Sequence, residues 1–534
     1  MLYVTGLLLA VAAGGCQKKE TATAGSIALT PPTELGATIG SLAEVVKPEP
    51  IAVEGYGLVG GLPGTGSGYC PPEIRAYLRQ YIATQLPNDR INIDELIASK
   101  NTAVVVLEAT MPATPSMGEH FDVRVALPPG SEATSIQGGW LYKAELVAKG
   151  TFGAQTRSLA TVEGPVFINP IGTADLDPRS GHILGGGRTL YEYTVLLRLS
   201  KANYKAVSLI RNRLSERYGP NIANAVSPSI IEVGIPAQYR QRKTRFVSML
   251  PATFLEVTNE LTSARINTYI QNLATSADRE NAEIVLEAVG QGSAGKLGTL
   301  LNSSDAEVRL RVGRCLLALG DNRGLAPLRD LALDPKSPYR LEALDAVMVS
   351  PRRADAITLA HRLLRDDDVA VVLAAYDKLR QMDERAVSRE AIGRSFLLEQ
   401  VVQSSHKAIF VSRSGDPRVV LFGAPLRCRD NLFVESPDQT LTLDARAGQG
   451  FVSVIRKHPT RPGVIGPIRS APDVGEIVRT LGGEAEPGPS GQLQSLGVPY
   501  SQVIALLEQM SAKDAVAAQF WAGPLPKIGP SVKN

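Results

Sequence analysis

Residues 53–68, VEGYGLVGGLPGTGSG, constrain the fold more than any other stretch, because seven of these sixteen residues are glycine. The glycines surround the apolar doublet Leu58-Val59 and Leu62, a pattern that predicts a short hydrophobic strand interrupted by positions free to take positive φ. Such a stretch specifies a backbone shape more than a set of side chains. Two uses fit it: a loop that cradles phosphate on exposed N–H groups, or a backbone pressed closely against another surface. A phosphate loop wants a lysine and then a hydroxyl residue after its last glycines. Gly66-Ser67-Gly68-Tyr69 supplies no lysine, which favours close packing.

The rest of the first half alternates between strands and helices. Pro71 and Pro72 open a helical periodicity of Ile74, Tyr77, Leu78 and Ile82 that closes near Leu86-Pro87. Residues 100–111, KNTAVVVLEATM, read as a buried strand, and residues 118–127, GEHFDVRVAL, as an alternating one. Residues 135–150, SIQGGWLYKAELVAKG, read as a Gly-Gly bend leading into a long strand. Residues 158–170 and 189–199 are two more, the second with Tyr191, Tyr193, Val195 and Leu197 on one face. Between them GHILGGGRT reads as a turn-rich loop around Gly185, Gly186 and Gly187. Residues 201–218 place Ala206, Leu209, Ile210 and Leu214 on one stripe of an amphipathic helix, stopped by Gly219-Pro220, and an apolar strand follows at 230–236. A basic helix also fits RNA or a membrane surface, but Glu216 argues for a solvated face.

Four of these segments, GYGLVGGLPGTG, the KNxAxVxV strand, the GxxxDVxV strand and the SxxGGxLxxxxL strand, resemble in order and spacing the flagellar P-ring proteins. Members of that family assemble as a ring around the flagellar rod in the bacterial periplasm. The resemblance implies an α+β fold of mixed sheet-and-helix domains and a structural subunit, not an enzyme, with no cofactor and no metal. Its implied partners are further copies of the chain, the rod, the L-ring protein and peptidoglycan. It implies no nucleic-acid partner, and a net charge of +3 gives no separate argument for one. The implied ring or rod contacts are Lys100, ahead of the NxAxVxV strand, with Gly55, Tyr56, Gly57, Gly64 and Gly66 of the glycine-rich run. The family's second basic position, just before SxxGG, is Thr134 here, so its charge is missing. From the residues alone, Lys100 is a solvated lysine at the start of a strand.

Residues 282–385 change texture to Leu, Ala, Asp and Arg, with no strand pattern. LNSSD at 301–305, LDPKS at 333–337 and LRDDD at 364–368 begin similar units, 32 and 31 residues apart. Apolar stripes follow each: Val308, Val312 and Leu316, then Leu341, Leu344 and Val347, then Val369, Leu373 and Leu379. This period is the signature of HEAT-like stacking of paired helices. The usual P-ring protein has no such all-α insertion, which reads as an extra partner site or a spacer between subunits. Cys315 beside a stripe reads as core, and Asp366-Asp367-Asp368 as a helix cap.

Residues 408–423 read as a hairpin turning at Ser414-Gly415-Asp416-Pro417, where Arg413-Ser414-Gly415 loosely matches an Arg-Thr-Gly turn of the family. Residues 451–457 form another strand, and the helices at 474–482 and 497–510 resemble the family's closing segments. At the other end, MLYVTGLLLAVAAGG is an apolar run of signal-peptide length. Ala13-Gly14-Gly15-Cys16 resembles a lipoprotein processing site that leaves Cys16 lipidated, with Gln17 favouring the outer membrane. The expected order is a signal peptide at 1–16, a tether at 17–50, a β-rich domain at 51–175 and an α+β domain at 176–281. The HEAT-like insertion at 282–385 and an α+β region at 386–534 complete it.

In an exported chain Cys70, Cys315 and Cys428 allow one disulfide and one leftover thiol. The five histidines are isolated, with no HExxH and no GxSxG, so no motif proposes catalysis. Carboxylates paired in space for glycan hydrolysis would leave no sequence signature. A non-flagellar envelope lipoprotein, keeping a P-ring-like fold and using the repeat as a docking scaffold, is the second reading of the same residues.

Overall fold

The computed structural model describes residues 26–27, 34–85, 92–153, 157–168, 177–350, 352–457, 464–485 and 493–526, and shows an α+β fold. Its first strands, β1 (Ser26–Ile27) and β2 (Ala43–Val46), pair antiparallel. Ala43 and Val45 are buried while Glu44 and Val46 are half-buried, a period-two pattern. Strands β1 and β2 therefore lie inside the segment expected to be a tether.

Six strands then close into a barrel: β3 (Ile51–Gly60), β4 (Ala103–Met111), β5 (His120–Ala126), β6 (Trp140–Ala148), β7 (Ala160–Pro165) and β8 (Ser180–Thr189), in the order β3-β4-β5-β8-β7-β6. Two helices, α1 (Pro72–Gln85) and α2 (Ile93–Ile97), cover Leu58 and Val104 on its outside with Ile74, Leu78 and Ile97. The lumen is filled by Val53, Val59, Leu107, Val123, Leu141, Leu146, Val162 and Ile183. Closure depends on glycine. Between Glu54 and Val59 the pairing of β3 with β6 slips by one residue, and Gly55 and Gly57 lie in that slip. A Cβ on Gly55 would stand 2.3 Å from the Glu145 carbonyl oxygen, and one on Gly57 would stand 2.8 Å from Leu141 Cδ1.

Residues 181–189 correct the sequence reading. GHILGGGRT is most of β8, not a loop, and it seals the barrel between β5 and β7, so the expected boundary at 175 falls before the last barrel strand. The pairing of β5 with β8 shifts between Phe121 and Val123, and glycines inside a strand mark such irregularities as readily as they mark a turn.

The chain returns to the first sheet with β9 (Val195–Leu199), crosses it with α3 (Tyr204–Tyr218), and adds β10 (Ala223–Ser227) and β11 (Ile230–Val233). The sheet order is β1-β2-β9-β11-β10. Helix α3 and α4 (Lys243–Met249) pack on one face with Val195, Leu197, Ile231 and Val233. The buried stripe of α3 is Val207, Ile210 and Leu214, while the expected member Leu209 is exposed.

Helices follow without a strand among the described residues: α5 (Asn259–Thr275), α6 (Arg279–Val289), α7 (Ala294–Leu297), α8 (Ala306–Ala318), α9 (Leu325–Leu333), α10 (Arg340–Val347), α11 (Arg353–Leu363) and α12 (Val369–Gln381). The array starts before residue 282, because α5 already pairs with α6. Asp305 and Asp368 cap α8 and α12 by accepting from Glu307 N and Ala370 N. The LDPKS segment behaves differently: Asp334 ends α9, and α10 begins only at Arg340.

The C-terminal region holds two sheets. The first contains β12 (Val387–Ile392), β13 (Phe396–Val401), β14 (Ala408–Ser412) and β15 (Arg418–Phe422), and the second β16 (Leu432–Glu435), β17 (Leu441–Ala445), β18 (Val452–Lys457) and β19 (Val464–Ser470). Helices α13 (Val474–Gly482) and α14 (Tyr500–Ala512) follow, and β20 (Gln519–Gly523) joins the first sheet beside β14. Strands β14 and β15 are buried on both faces, which explains their unbroken apolar runs. Phe410, Val420 and Phe422 pack on the helical array, and Ile409, Val419 and Leu421 pack towards α13 and α14.

A buried ion cluster ties α4 to the array. Glu283 on α6 is fully buried and bound by Arg314 at 2.6 Å and by Arg245 and Arg311 at 3.0 Å. Burial alone would raise its pKa from 4.5, but Arg245, Arg314 and Arg311 outweigh burial and hold it at about 2. A carboxyl depressed in the folded state contributes stability that is complete above its ordinary pKa and lost as pH falls through the depressed one. Stability from this cluster should therefore fall between pH 4.5 and about 2. Glu283→Gln, which takes from Arg314 the carboxylate it pairs with while Arg245 keeps Glu287 and Arg311 keeps Glu307, should cost about 3–5 kcal/mol at pH 7 and flatten that acid dependence, as read from urea unfolding across pH.

Candidate functional site

After β3 the backbone continues across one end of the barrel as the loop 61–68. Gly61 and Gly64 have φ of +75° and +81°, and the loop lies flat on two neighbouring turns. Leu62 N donates to Asn101 O at 3.0 Å, Gly66 N to Lys100 O at 2.8 Å and Ser67 N to Thr102 O at 3.0 Å. On the other side Thr134 N donates to Thr65 O at 2.9 Å, and Thr65 Oγ1 to Ser135 O at 2.9 Å. Gly66 is held so closely that a Cβ would fall 2.1 Å from Thr102 O, whereas a Cβ on Gly64 would meet nothing within 4 Å.

Gly64, Gly66, Lys100 and Thr134 are thus brought together on one surface, although up to 70 residues separate them. Lys100 is exposed, and its ammonium has no ion-pair partner among the described residues. Arg179, which no motif singles out, joins them: its guanidinium donates to Ala133 O at 2.7 Å and Ser131 O at 3.0 Å, placing a positive charge beside the uncharged Thr134. The pairing of β8 with β5 and the bond from Ile136 N to Pro178 O at 2.9 Å bring Arg179 there.

The other residues expected to make contacts lie elsewhere. Gly55 and Gly57 are buried in the barrel wall, so their close packing is internal, against β6. Tyr56 lies under α1, its ring 4.7 Å from that of Phe152, which in turn meets Tyr77 at 5.0 Å. Cys16 lies outside the described residues.

Two polar clamps set the barrel against the rest of the chain. The Asp122 carboxylate accepts from Gly185 N at 2.7 Å and from Gly415 N at 2.9 Å, so the turn after β14 docks on β5 and β8. The buried Lys243 donates to Thr114 O at 2.7 Å and Ser116 Oγ at 2.6 Å, with Glu192 at 3.8 Å, and anchors α4 to the loop before β5. Arg413-Ser414-Gly415 is therefore part of an internal joint.

The helical array adds a groove of about 1170 Å³, lined by Arg242, Arg311, Glu307, Tyr339, Glu342 and Lys378 among others. Cys70, Cys315 and Cys428 are all free, so the disulfide that their number allowed is not formed. Each sits in a different core, and burial pushes the Cys428 thiol up to about 12 and that of Cys315 well above its ordinary range. Among the described residues, no group of three or more His, Cys, Asp or Glu could hold a metal, and no helix is long and apolar enough to cross a membrane.

Residues 38–269 match the family described as Flagellar P-ring protein. The chain is 30% identical over 233 residues to a flagellar P-ring protein of Shewanella woodyi, covering 40% of this chain and 60% of that protein. To that of Wolinella succinogenes it is 30% identical over 210 residues, covering 37% and 57%, and to that of Shewanella oneidensis 29% over 258 residues, covering 45% and 66%. The chain thus spans less than two thirds of the length of these curated relatives. The family match contains the barrel and β2, β9, β10 and β11, and ends within α5, so most of the array and both C-terminal sheets lie beyond it.

The seating of the loop predicts an order of effects. Gly66→Ala should cost about 1–3 kcal/mol by overpacking. It should be more damaging than Gly64→Ala, which meets open space and bears only the cost of its backbone angle. Urea unfolding of the two variants would reveal the difference.

Proposed function

We propose that this chain, a P-ring family protein over residues 38–269, is a structural subunit of the flagellar basal-body P-ring. Its mechanism is geometric: identical subunits make heterologous contacts that close into a periplasmic ring around the rod, beside peptidoglycan and the L-ring. The observation that carries this reading is the barrel-end surface inside the matched region. Its loop is fixed by four backbone hydrogen bonds and presents glycine to the outside, so a partner can approach its backbone closely. Lys100 and Arg179 add positive charge to the same surface, which favours an acidic partner and makes association depend on salt.

Residues outside the match suit an addition to this core. The helical array is read as a HEAT-like insertion whose groove offers a further partner site or a spacer between subunits. Lipidation at Cys16 would hold the subunit at the outer membrane.

Immunogold electron microscopy of detergent-extracted envelopes tests the assignment. Label on closed rings around rods is expected, while label on flagellum-free envelope would overturn it in favour of an envelope scaffold. In a deletion strain, a Lys100→Glu copy should restore swimming poorly compared with the unchanged gene. Its unfolding free energy should stay within about 0.5 kcal/mol, because the side chain is exposed.

A further inference from the structure

Exposed apolar side chains are unevenly spread over this protein. Of eleven large hydrophobic residues exposed among the described residues, six fall between 196 and 257: Leu196, Tyr204, Leu209, Val226, Ile230 and Val257. Three of these lie on adjacent strands of the sheet β1-β2-β9-β11-β10. Helices α3 and α4 cover one face of that sheet, and Leu196, Arg198 and Ile230 point to the other. On that uncovered face Arg198 stands opposite Glu44 on one side and Ile230 on the other, and Leu196 stands opposite Glu232.

The outer edge of β10 is open as well. Among the described residues β10 pairs with β11 alone, and Asn224, Ala225 and Val226 are exposed, Val226 by 54%. Proteins usually guard such an edge with charge or with proline inside the strand. Here residues 219–231 contain no charged side chain, and Pro220 and Pro228 stand outside the strand. Gly234 N donates to Ile222 O, and antiparallel pairs alternate, so the backbone groups of Ala225 point away from β11 towards the open edge.

We propose that this edge is the subunit-to-subunit contact, and that its occupant is the β1 edge of a second copy of the chain. The inference rests on the ring reading and names the surface that carries it. Among the described residues the sheet has two outer strands, β1 and β10, and every neighbouring pair in it is antiparallel. With five strands the two outer ones run in the same direction. A neighbour related by rotation about an axis close to the strand direction lays its β1 parallel to β10, extending the sheet and leaving a new β10 edge free. That contact is heterologous and repeats until it closes. Two β10 edges meeting each other would instead make an antiparallel two-fold dimer, which cannot propagate. Val226 lies on the seam strand itself and Ile230 one strand inside it, and both lose water as the seam forms.

Cysteine cross-linking of the full chain separates these geometries. The Ser26→Cys/Ala225→Cys double variant should give a ladder of dimers, trimers and larger species on mild oxidation. Neither single variant should do so, and each controls for the natural thiols. A dimer from Ala225→Cys alone would overturn the proposal. Ala225→Lys, which adds a charge to an exposed edge and leaves the pairing with β11 intact, should keep the thermal midpoint. It should raise the concentration needed for association by about tenfold or more. Closed rings in cells without a double-variant ladder would overturn the edge contact and leave the ring reading standing. A ladder without labelled rod rings would do the reverse.

Discussion

Strand β3 can run against β6 because Gly55 and Gly57 carry no side chain where the register slips. Most of the matched region depends on that crossing. It closes the six-stranded barrel, and it fixes the direction in which the chain leaves β3, so that residues 61–68 lie across the barrel's end beside the exposed Lys100. A larger residue at Gly55 would meet the backbone of β6, and one at Gly57 the side chains of Leu141, Leu107 and Ala144. Glycine here removes volume, and its conformational freedom matters later, at Gly61 and Gly64.

Polar groups then hold the barrel in place. Asp122 reaches the hairpin turn at Gly415, and Lys243 reaches the carbonyl of Thr114. Phe167 and Leu184 continue from the barrel into the C-terminal core. The helical array is attached on two sides, through the arginine cluster around Glu283 and through the face of β14 and β15 shared with Phe410 and Phe422. In each buried ionic contact the charge is met by several partners, which offsets the desolvation that an isolated buried charge would suffer. A helical array joined in this way is part of the body of the protein and not an appendage on a linker.

Strong patterns are legible in the sequence alone. The helices at 72–85 and 474–482, the hairpin around Gly415, the barrel strands β4, β5 and β6 and the helical texture after 282 all follow from periodicity and turn chemistry. Weaker patterns misled. GGG in residues 181–189 suggested a loop, since glycine in a bulged strand and glycine in a turn look the same along the chain. The α3 stripe came out displaced because Val207 and Leu209 are both apolar, and only the position of the sheet decides which one it covers. Strands β12, β13, β16, β17, β19 and β20 had no assigned pattern of their own.

Sequence by itself determined which backbones had to come close, because a run of seven glycines in sixteen residues has few other uses, and it carried the family likeness in short motifs. Local hydrophobic periodicity also specified most helices, whose hydrogen bonds lie within a few residues. Tertiary structure alone decided what met what. It set Arg179 beside Thr134, left all three described thiols unpaired, and among the described residues gave the first sheet an uncovered edge at β10. These are relations between segments far apart in the chain. They depend on strand register and on which face a neighbour covers, and no local pattern of residues encodes either.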